Sequence, residues 1–265
     1  MLEIKNLNFS YNKGQKALNN INLKADKGKI IGIIGENGAG KSTLFLNILG
    51  ILKPANGEIY LDGEKLSYEK KYLKKYREKV NMVLQDPDKQ IFYSHVYDDL
   101  AFALKNMKLP KEEIDLRIEK VSKQLGIENL LDKAVHYLSY GQKKRVAIAG
   151  VLSMEPEVLL LDEPTAGLDP NLTRQMIKLI SDLKLLGKTV LISSHDMDFI
   201  YNICDYVYIM HKGEILTKGH KENVFLDEKL IYKANLEPPT LVRIHLNSNL
   251  PLCETEEELY KLINN

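Results

Sequence analysis

Ile30-Ile-Gly-Ile-Ile34 runs straight into Gly35-Glu-Asn-Gly-Ala-Gly-Lys41-Ser42, and this junction decides the fold. A stretch apolar on both faces reads as a central strand covered on both sides. The turn after it fits G-x-x-x-x-G-K-[ST], and a helical stretch follows from Ser42 to Leu49. Strand, glycine-rich turn and helix together make a phosphate-binding loop. The glycines let backbone N–H groups turn inward around phosphate oxygens, and the helix N-terminus adds a favourable dipole. Gly35, Asn37, Gly38, Gly40, Lys41, Ser42 and Thr43 are the candidate binding residues. Lys41 is placed to reach the β and γ phosphates, and the Ser42 hydroxyl is a candidate Mg²⁺ ligand.

A second apolar run, Val158-Leu-Leu-Leu-Asp162-Glu163, ends on two carboxylates. Alone it is an ordinary buried strand. Paired with a phosphate loop, Asp162 becomes a candidate Mg²⁺ ligand and Glu163 a candidate base that polarises an attacking water. A helical stretch from about Leu172 to Leu186, closed by Gly187, leads to a third run, Thr189-Val-Leu-Ile-Ser, and then His195. Alternation of strand and helix predicts right-handed crossovers in a mostly parallel sheet, and so an α/β protein. His195 alone reads as a structural histidine.

The flanking regions differ. Leu2-Glu-Ile-Lys-Asn-Leu-Asn-Phe and Ile21-Asn-Leu-Lys-Ala alternate apolar and polar residues, as half-buried antiparallel strands do. Residues 64–79 are basic, with Tyr68, Tyr72 and Tyr76 at four-residue spacing; they read as a solvated helix with its tyrosines on one face. A nucleic-acid surface is the alternative. Pro110 to Gly126 reads as a helix with Ile114, Ile118, Val121 and Leu125 facing the core. Beyond residue 225 the apolar runs shorten, Glu237-Pro-Pro-Thr breaks regular structure, and Thr255 with Glu258 suggests a capping box. Residues 1–225 and 226–265 are therefore expected to be a main domain and a C-terminal extension.

Composition sets bounds. The 265 residues carry 37 Lys and Arg against 36 Asp and Glu, a formal charge of +1, which gives no general attraction to nucleic acid. Cys204 and Cys253 lack metal-type spacing, so neither a zinc site nor a disulfide framework is expected. No segment approaches the ~18 apolar residues of a membrane span, and the start is not a secretory signal, so the expectation is a cytoplasmic chain.

Over about residues 2–225 these motifs resemble those of ATP-binding-cassette ATPases. Leu138-Ser-Tyr-Gly-Gln142 is similar to that family's L-S-G-G-Q signature and lies 23 residues before Asp162, counted from Ser139. Gln85 stands at the Q-loop position, Ala166-Gly-Leu-Asp169 at the D-loop, His195 at the switch histidine and Tyr11 at the adenine-stacking aromatic. The resemblance implies a P-loop NTPase core, an N-terminal antiparallel β subdomain, a helical signature subdomain and a short C-terminal extension. It implies that ATP and Mg²⁺ bind to Tyr11, the loop residues and Asp162, with Gln85 a further Mg²⁺ contact. It implies that Ser139, Gly141 and Gln142 face ATP held by a second cassette, identical or paralogous, and that Asp169 couples the two. Glu163, His195 and Gln85 are the implied catalytic residues. Tyr140 in place of the first signature glycine and Ala166 in place of a D-loop serine are departures from the pattern.

Gln85-Asp-Pro-Asp-Lys-Gln-Ile-Phe92 is similar to the Q-loop continuation of energy-coupling-factor importers, and over its length the chain resembles the cobalt-import ATP-binding subunits of that group. This implies a peripheral protein on the cytoplasmic face of the cell membrane. Its implied partners are an integral membrane scaffold and a substrate-binding membrane subunit. Cobalt is the expected solute, with nickel or a vitamin as alternatives. A soluble cassette acting on nucleic acid or ribosomes is the reading from another class.

Overall fold

A computed structural model describes residues 1–11, 14 and 16–264. The chain divides into two compact units, Met1–Tyr68 with Ile180–Asn265, and Glu69–Leu179. The first unit opens with β1 (Leu2–Ser10) and β2 (Lys16–Ala25), continues through β3 (Ile30–Ile34) and α1 (Lys41–Ile48), and adds β4 (Asn56–Leu61) and β5 (Glu64–Lys65). An antiparallel sheet runs in the order β2-β1-β4-β5. Alternation buries Leu2, Ile4, Leu7 and Phe9 on one face of β1. Its phase shifts at Asn6, which adopts a left-handed φ of 50° where the register with β2 slips.

The second unit begins with α2 (Lys70–Lys79) and β6 (Val80–Val83). The helix expected over 64–79 therefore starts later. Lys65 is drawn into a strand opposite Tyr60, and the Leu66 N–H donates to Ile59 O, which leaves Tyr68 ahead of the helix. Only Tyr72 and Tyr76 share the helical face, stacked at 6.3 Å, with Tyr76 buried and the lysines exposed. Then come α3 (Val96–Asn106), α4 (Lys111–Leu125), α5 (Tyr140–Leu152), β7 (Val158–Asp162) and α6 (Pro170–Leu185). Helix α4 ends on Gly126 in the left-handed conformation and buries Ile114, Ile118, Val121 and Leu125, as the spacing predicts. Helices α3, α4 and α5 pack on one another, and β6 pairs in parallel with β7.

The first unit resumes at Ile180, within α6, and continues with β8 (Thr189–Ser194), α7 (Met197–Ile203), β9 (Tyr206–His211) and β10 (Glu214–His220), followed by α8 (Lys221–Phe225), α9 (Glu228–Lys233), α10 (Thr240–Leu246) and α11 (Glu256–Ile263). Strand β3 is buried at every residue and lies parallel between β8 and β9, while β10 closes the edge antiparallel to β9. Asp205 stabilises this sheet at a β3 end: its carboxylate accepts the Ile30 N–H at 2.9 Å and pairs with Lys184 at 2.6 Å. The C-terminal segment packs into this unit. Tyr201 donates to Cys253 O at 3.1 Å, and burial pushes its hydroxyl up to about 12. The capping box expected at Thr255 is half formed. Thr255 accepts the Glu258 N–H, but the Glu258 carboxylate takes the N–H of Glu254, one residue early. Cys204 and Cys253 are buried free thiols, and among the described residues no helix is long and apolar enough to cross a membrane.

Candidate functional site

In the first unit the phosphate loop leaves the end of β3. Gly35 has φ 157° and packs so closely that a Cβ there would lie 2.3 Å from Met210 O; at Gly40, with φ 104°, it would lie 2.8 Å from Ala17 O. Steric room as well as backbone freedom makes both positions glycine. The Lys41 ammonium curls back into the loop and donates to Gly35 O at 2.6 Å and Glu36 O at 3.2 Å. Ser42 and Asn37 are exposed, whereas Lys41 and Thr43 are buried. Tyr11 is 55% exposed, its ring set edge-on to Phe9 and its hydroxyl 3.0 Å from Thr43 Oγ1. An aromatic face open to solvent beside α1 can stack on a planar base. His195 is exposed just past β8, and Asp196 caps α7 by accepting the Phe199 N–H at 2.9 Å.

The second unit carries the other candidates. Asp162 ends β7 and Glu163 follows it, both about 6% exposed, and Glu163 takes a left-handed φ of 47°. Gln85 is exposed after β6, and the turn following it is capped by Asp86, which accepts the Asp88 N–H. Ser139 is the N-cap of α5 in a full capping box: Gln142 N–H donates to Ser139 Oγ at 3.3 Å, and Ser139 N–H donates to Gln142 Oε1 at 2.9 Å. A Cβ on Gly141 would come within 2.7 Å of Leu172. Asp169 caps α6, accepting the Asn171 and Leu172 N–H groups at 2.9 Å each. Ser139 and Asp169 thus shape two helix N-termini, the kind of terminus that receives anions.

Further side chains tie the Q-loop and the signature helix together, and of these Lys143 and Lys144 have no place in the motifs. Gln90 ties the Q-loop to α5: its Oε1 accepts the Leu84 N–H at 2.8 Å and its Nε2 donates to Ala147 O at 2.8 Å. Lys143 pairs with Asp88 at 2.7 Å. Lys144, fully buried, donates to Gln85 O at 2.7 Å and to Leu84 O and Glu163 O at 3.4 Å each. Burial pulls its ammonium down to about 8, opposed by the carboxylates of Asp162, Glu163 and Asp86. The tyrosine that interrupts the signature donates to Gln85 O at 3.3 Å, and its ring fills the space beside Gly167.

Among the described residues no group of three His, Cys, Asp or Glu side chains forms a metal cage. Mg²⁺ seldom needs one, because it is held by one or two protein oxygens together with substrate phosphates. The exposed Ser42 hydroxyl and the Asp162 carboxylate are oxygen donors of that kind.

Residues 18–166 match the ABC transporter family. An energy-coupling factor transporter ATP-binding protein of Clostridium perfringens is 47% identical over 91% of this chain and 85% of its own. A cobalt import ATP-binding protein of Salmonella typhimurium is 42% identical over 98% of this chain and 96% of its own. Among solved structures, cbiO1 from Clostridium perfringens, part of the ABC transporter complex cbiONQ, aligns with a TM-score of 0.79 at 47% identity. That alignment covers 93% of this chain and 98% of cbiO1. A dimeric ATP-binding cassette bound to ADP and phosphate aligns with a TM-score of 0.76 at 29% identity, over 83% and 99% of the two chains.

The chain belongs to the ABC transporter family and is an ATP-binding, ATP-hydrolysing cassette. Its likeness to the energy-coupling-factor ATP-binding proteins, which extends over nearly the whole chain, places it in that group.

Proposed function

We propose that this chain powers an energy-coupling-factor importer, hydrolysing ATP at the interface of a cassette pair to drive uptake of cobalt ions. What carries the reading is the joint presence of a glycine-locked phosphate loop and a Ser139-capped signature helix in one chain. One loop and one signature per chain make a two-fold pair, identical or paralogous, the economical way to complete each site.

Each residue has work suited to its chemistry. The loop N–H groups and Lys41 bind the triphosphate, Tyr11 carries the adenine, and Ser139 and Gly141 present a helix N-terminus to the partner's nucleotide. Ser42, Asp162 and Gln85 are the residues that would hold Mg²⁺, which neutralises phosphate charge when bound. Glu163 orients water and accepts its proton, while His195 contacts the γ-phosphate.

The membrane partner is expected at the Q-loop. Phe92 is 82% exposed, Tyr93 and Phe102 lie 5.3 Å apart with both rings partly open, and Asp99 fixes the loop by accepting the Phe92 and Tyr93 N–H groups. An exposed aromatic cluster on a pinned loop suits a helix of an integral membrane scaffold. The chain then sits on the cytoplasmic face, with residues 1–225 as the ATP-binding domain and 226–265 as an extension for dimerisation or regulation.

Cobalt rests on the name of the Salmonella relative. The test is uptake of labelled cobalt, nickel and vitamins by host cells carrying the native chain or Lys41→Ala. Cobalt uptake lost in the variant supports the reading. Loss of nickel or vitamin uptake alone moves the substrate, and retention of the chain by nucleic acid instead of membranes rejects import.

A further inference from the structure

We infer that Lys144 is a positioning residue which, assisted by Tyr140, locks the signature helix to the backbone of the Q-loop and of Glu163. This deepens the ATPase reading and rests on it.

Tyr140 and Lys144 are four residues apart on α5, so their side chains leave the same helical face. Both reach one atom. The Gln85 carbonyl accepts Lys144 Nζ at 2.7 Å and the Tyr140 hydroxyl at 3.3 Å. The lysine ammonium has three donors, and three carbonyls surround it: Gln85, Leu84 and Glu163. A cation with no exposed surface persists only when its donors are satisfied, so the three carbonyls and the ammonium hold one another in place.

The identity of these carbonyls gives the contact its meaning. Leu84 and Gln85 follow β6 and open the loop bearing the exposed aromatic cluster. Glu163 follows β7 and holds a left-handed φ of 47°, so the direction of its carboxylate depends on how its peptide is fixed. Its carbonyl also accepts the Ala166 N–H at 3.2 Å, which joins it to the D-loop turn. Gln90 and Lys143 strap the remainder of the Q-loop to the same helix. Displacement of the Q-loop by a membrane partner is therefore felt at the Gln85 carbonyl, at Lys144 and at the Glu163 peptide together. Tyr140, the departure from the family signature, strengthens the link and packs its ring on Gly167.

The experiment is steady-state hydrolysis by the purified full chain, with fluorescent ATP binding to count competent sites. Lys144→Met keeps the length of the side chain and removes its donors; kcat is expected to fall about tenfold with KM within about twofold. Lys144→Arg restores donors and is expected to recover kcat to within about threefold of native, and Tyr140→Phe to lose about twofold to fourfold. Native kcat in Lys144→Met overturns the inference. So does a loss matched by an equal loss of binding sites and unrelieved by Arg, the pattern of a merely structural lysine. If Lys144→Met does not fold, Tyr140→Phe decides, and an unchanged kcat overturns the inference. Lys41→Ala serves as a control: full hydrolysis there rejects the ATPase reading itself, independently of Lys144.

Discussion

The side-chain amide of Asn235 donates to Glu36 Oε2 at 2.7 Å, joining the segment after α9 to the phosphate loop across 199 positions of sequence. His211 approaches the other oxygen of the same carboxylate, with Nδ1 3.0 Å from Glu36 Oε1. A few residues on, the backbone N–H and hydroxyl of Thr240 both donate to Asp198, on the helix that follows His195. The connector between α9 and α10 is thus fastened at one end to the phosphate loop and at the other to α7.

Asn235 has a left-handed φ of 56°, which asparagine and glycine tolerate best. Asn235→Gly therefore removes the amide without adding backbone strain, and a lost hydrogen bond to a charged, half-buried acceptor costs about 1 kcal/mol. A chain of this size should lose about 2–4 °C of Tm. Asn235→Asp should lose more, because it sets a second carboxylate against Glu36, and added salt should recover part of the excess. Equal melting of the two variants would remove the electrostatic part of this account.

Gly38 and Gly40 separate conformation from space. Both have positive φ, 84° and 104°, but a Cβ at Gly38 meets nothing within 4 Å, whereas one at Gly40 meets Ala17 O at 2.8 Å. Gly38→Ala should cost about 1–2 kcal/mol of strain. Gly40→Ala adds a backbone clash that only movement of the loop or of β2 can relieve. Denaturant unfolding should rank the two in that order, and Gly40→Ala should also lose ATP binding by titration calorimetry.

The phosphate loop could be read from sequence because its glycines, its lysine and the apolar run before it are all local. The α4 stripe and the buried β3 follow from periodicity in the same way. Tyr68 misled because four-residue spacing ignores the pairing of Lys65 with Tyr60, a tertiary contact that wins over helical pattern. Gln142 and Asp169 show a different gap. Their motifs imply outward roles, while the structure also uses both to cap their own helices. Lys144 and Asn235 were invisible because their partners lie 59 and 199 positions away and are defined only once the chain is folded.

Alkaline pH tests the buried tyrosines. Tyr68, Tyr201 and Tyr208 are pushed up to about 12 by burial, and Tyr97 to about 12 chiefly by its hydrogen bond to Asp115. Each native value lies above the unfolded value of about 10, so the folded state keeps protons that the unfolded chain releases. Their stabilisation is complete below about pH 10 and is lost as pH rises toward 12. The denaturation midpoint should fall across that window. Tyr97→Phe, which cannot ionise, should flatten the slope; an unchanged slope would contradict the Asp115 assignment.

Glu163→Gln isolates the proposed chemistry from the fold. The amide has the shape of the carboxylate it replaces and retains the carbonyl that meets Lys144, so α5 and the Q-loop should stay as they are. What it lacks is a site to take the proton of an attacking water. Loss of a general base costs on the order of 10²-fold or more in turnover. ATP binding, which depends on the loop and Lys41, should persist. With hydrolysis blocked, ATP should hold two cassettes together, and light scattering should show the 30.3 kDa chain shifting to twice its mass. A monomer that binds ATP without turning it over would mean the second cassette is a paralogue, and mixing with that protein should restore the dimer. Turnover near native levels would show that another group activates the water.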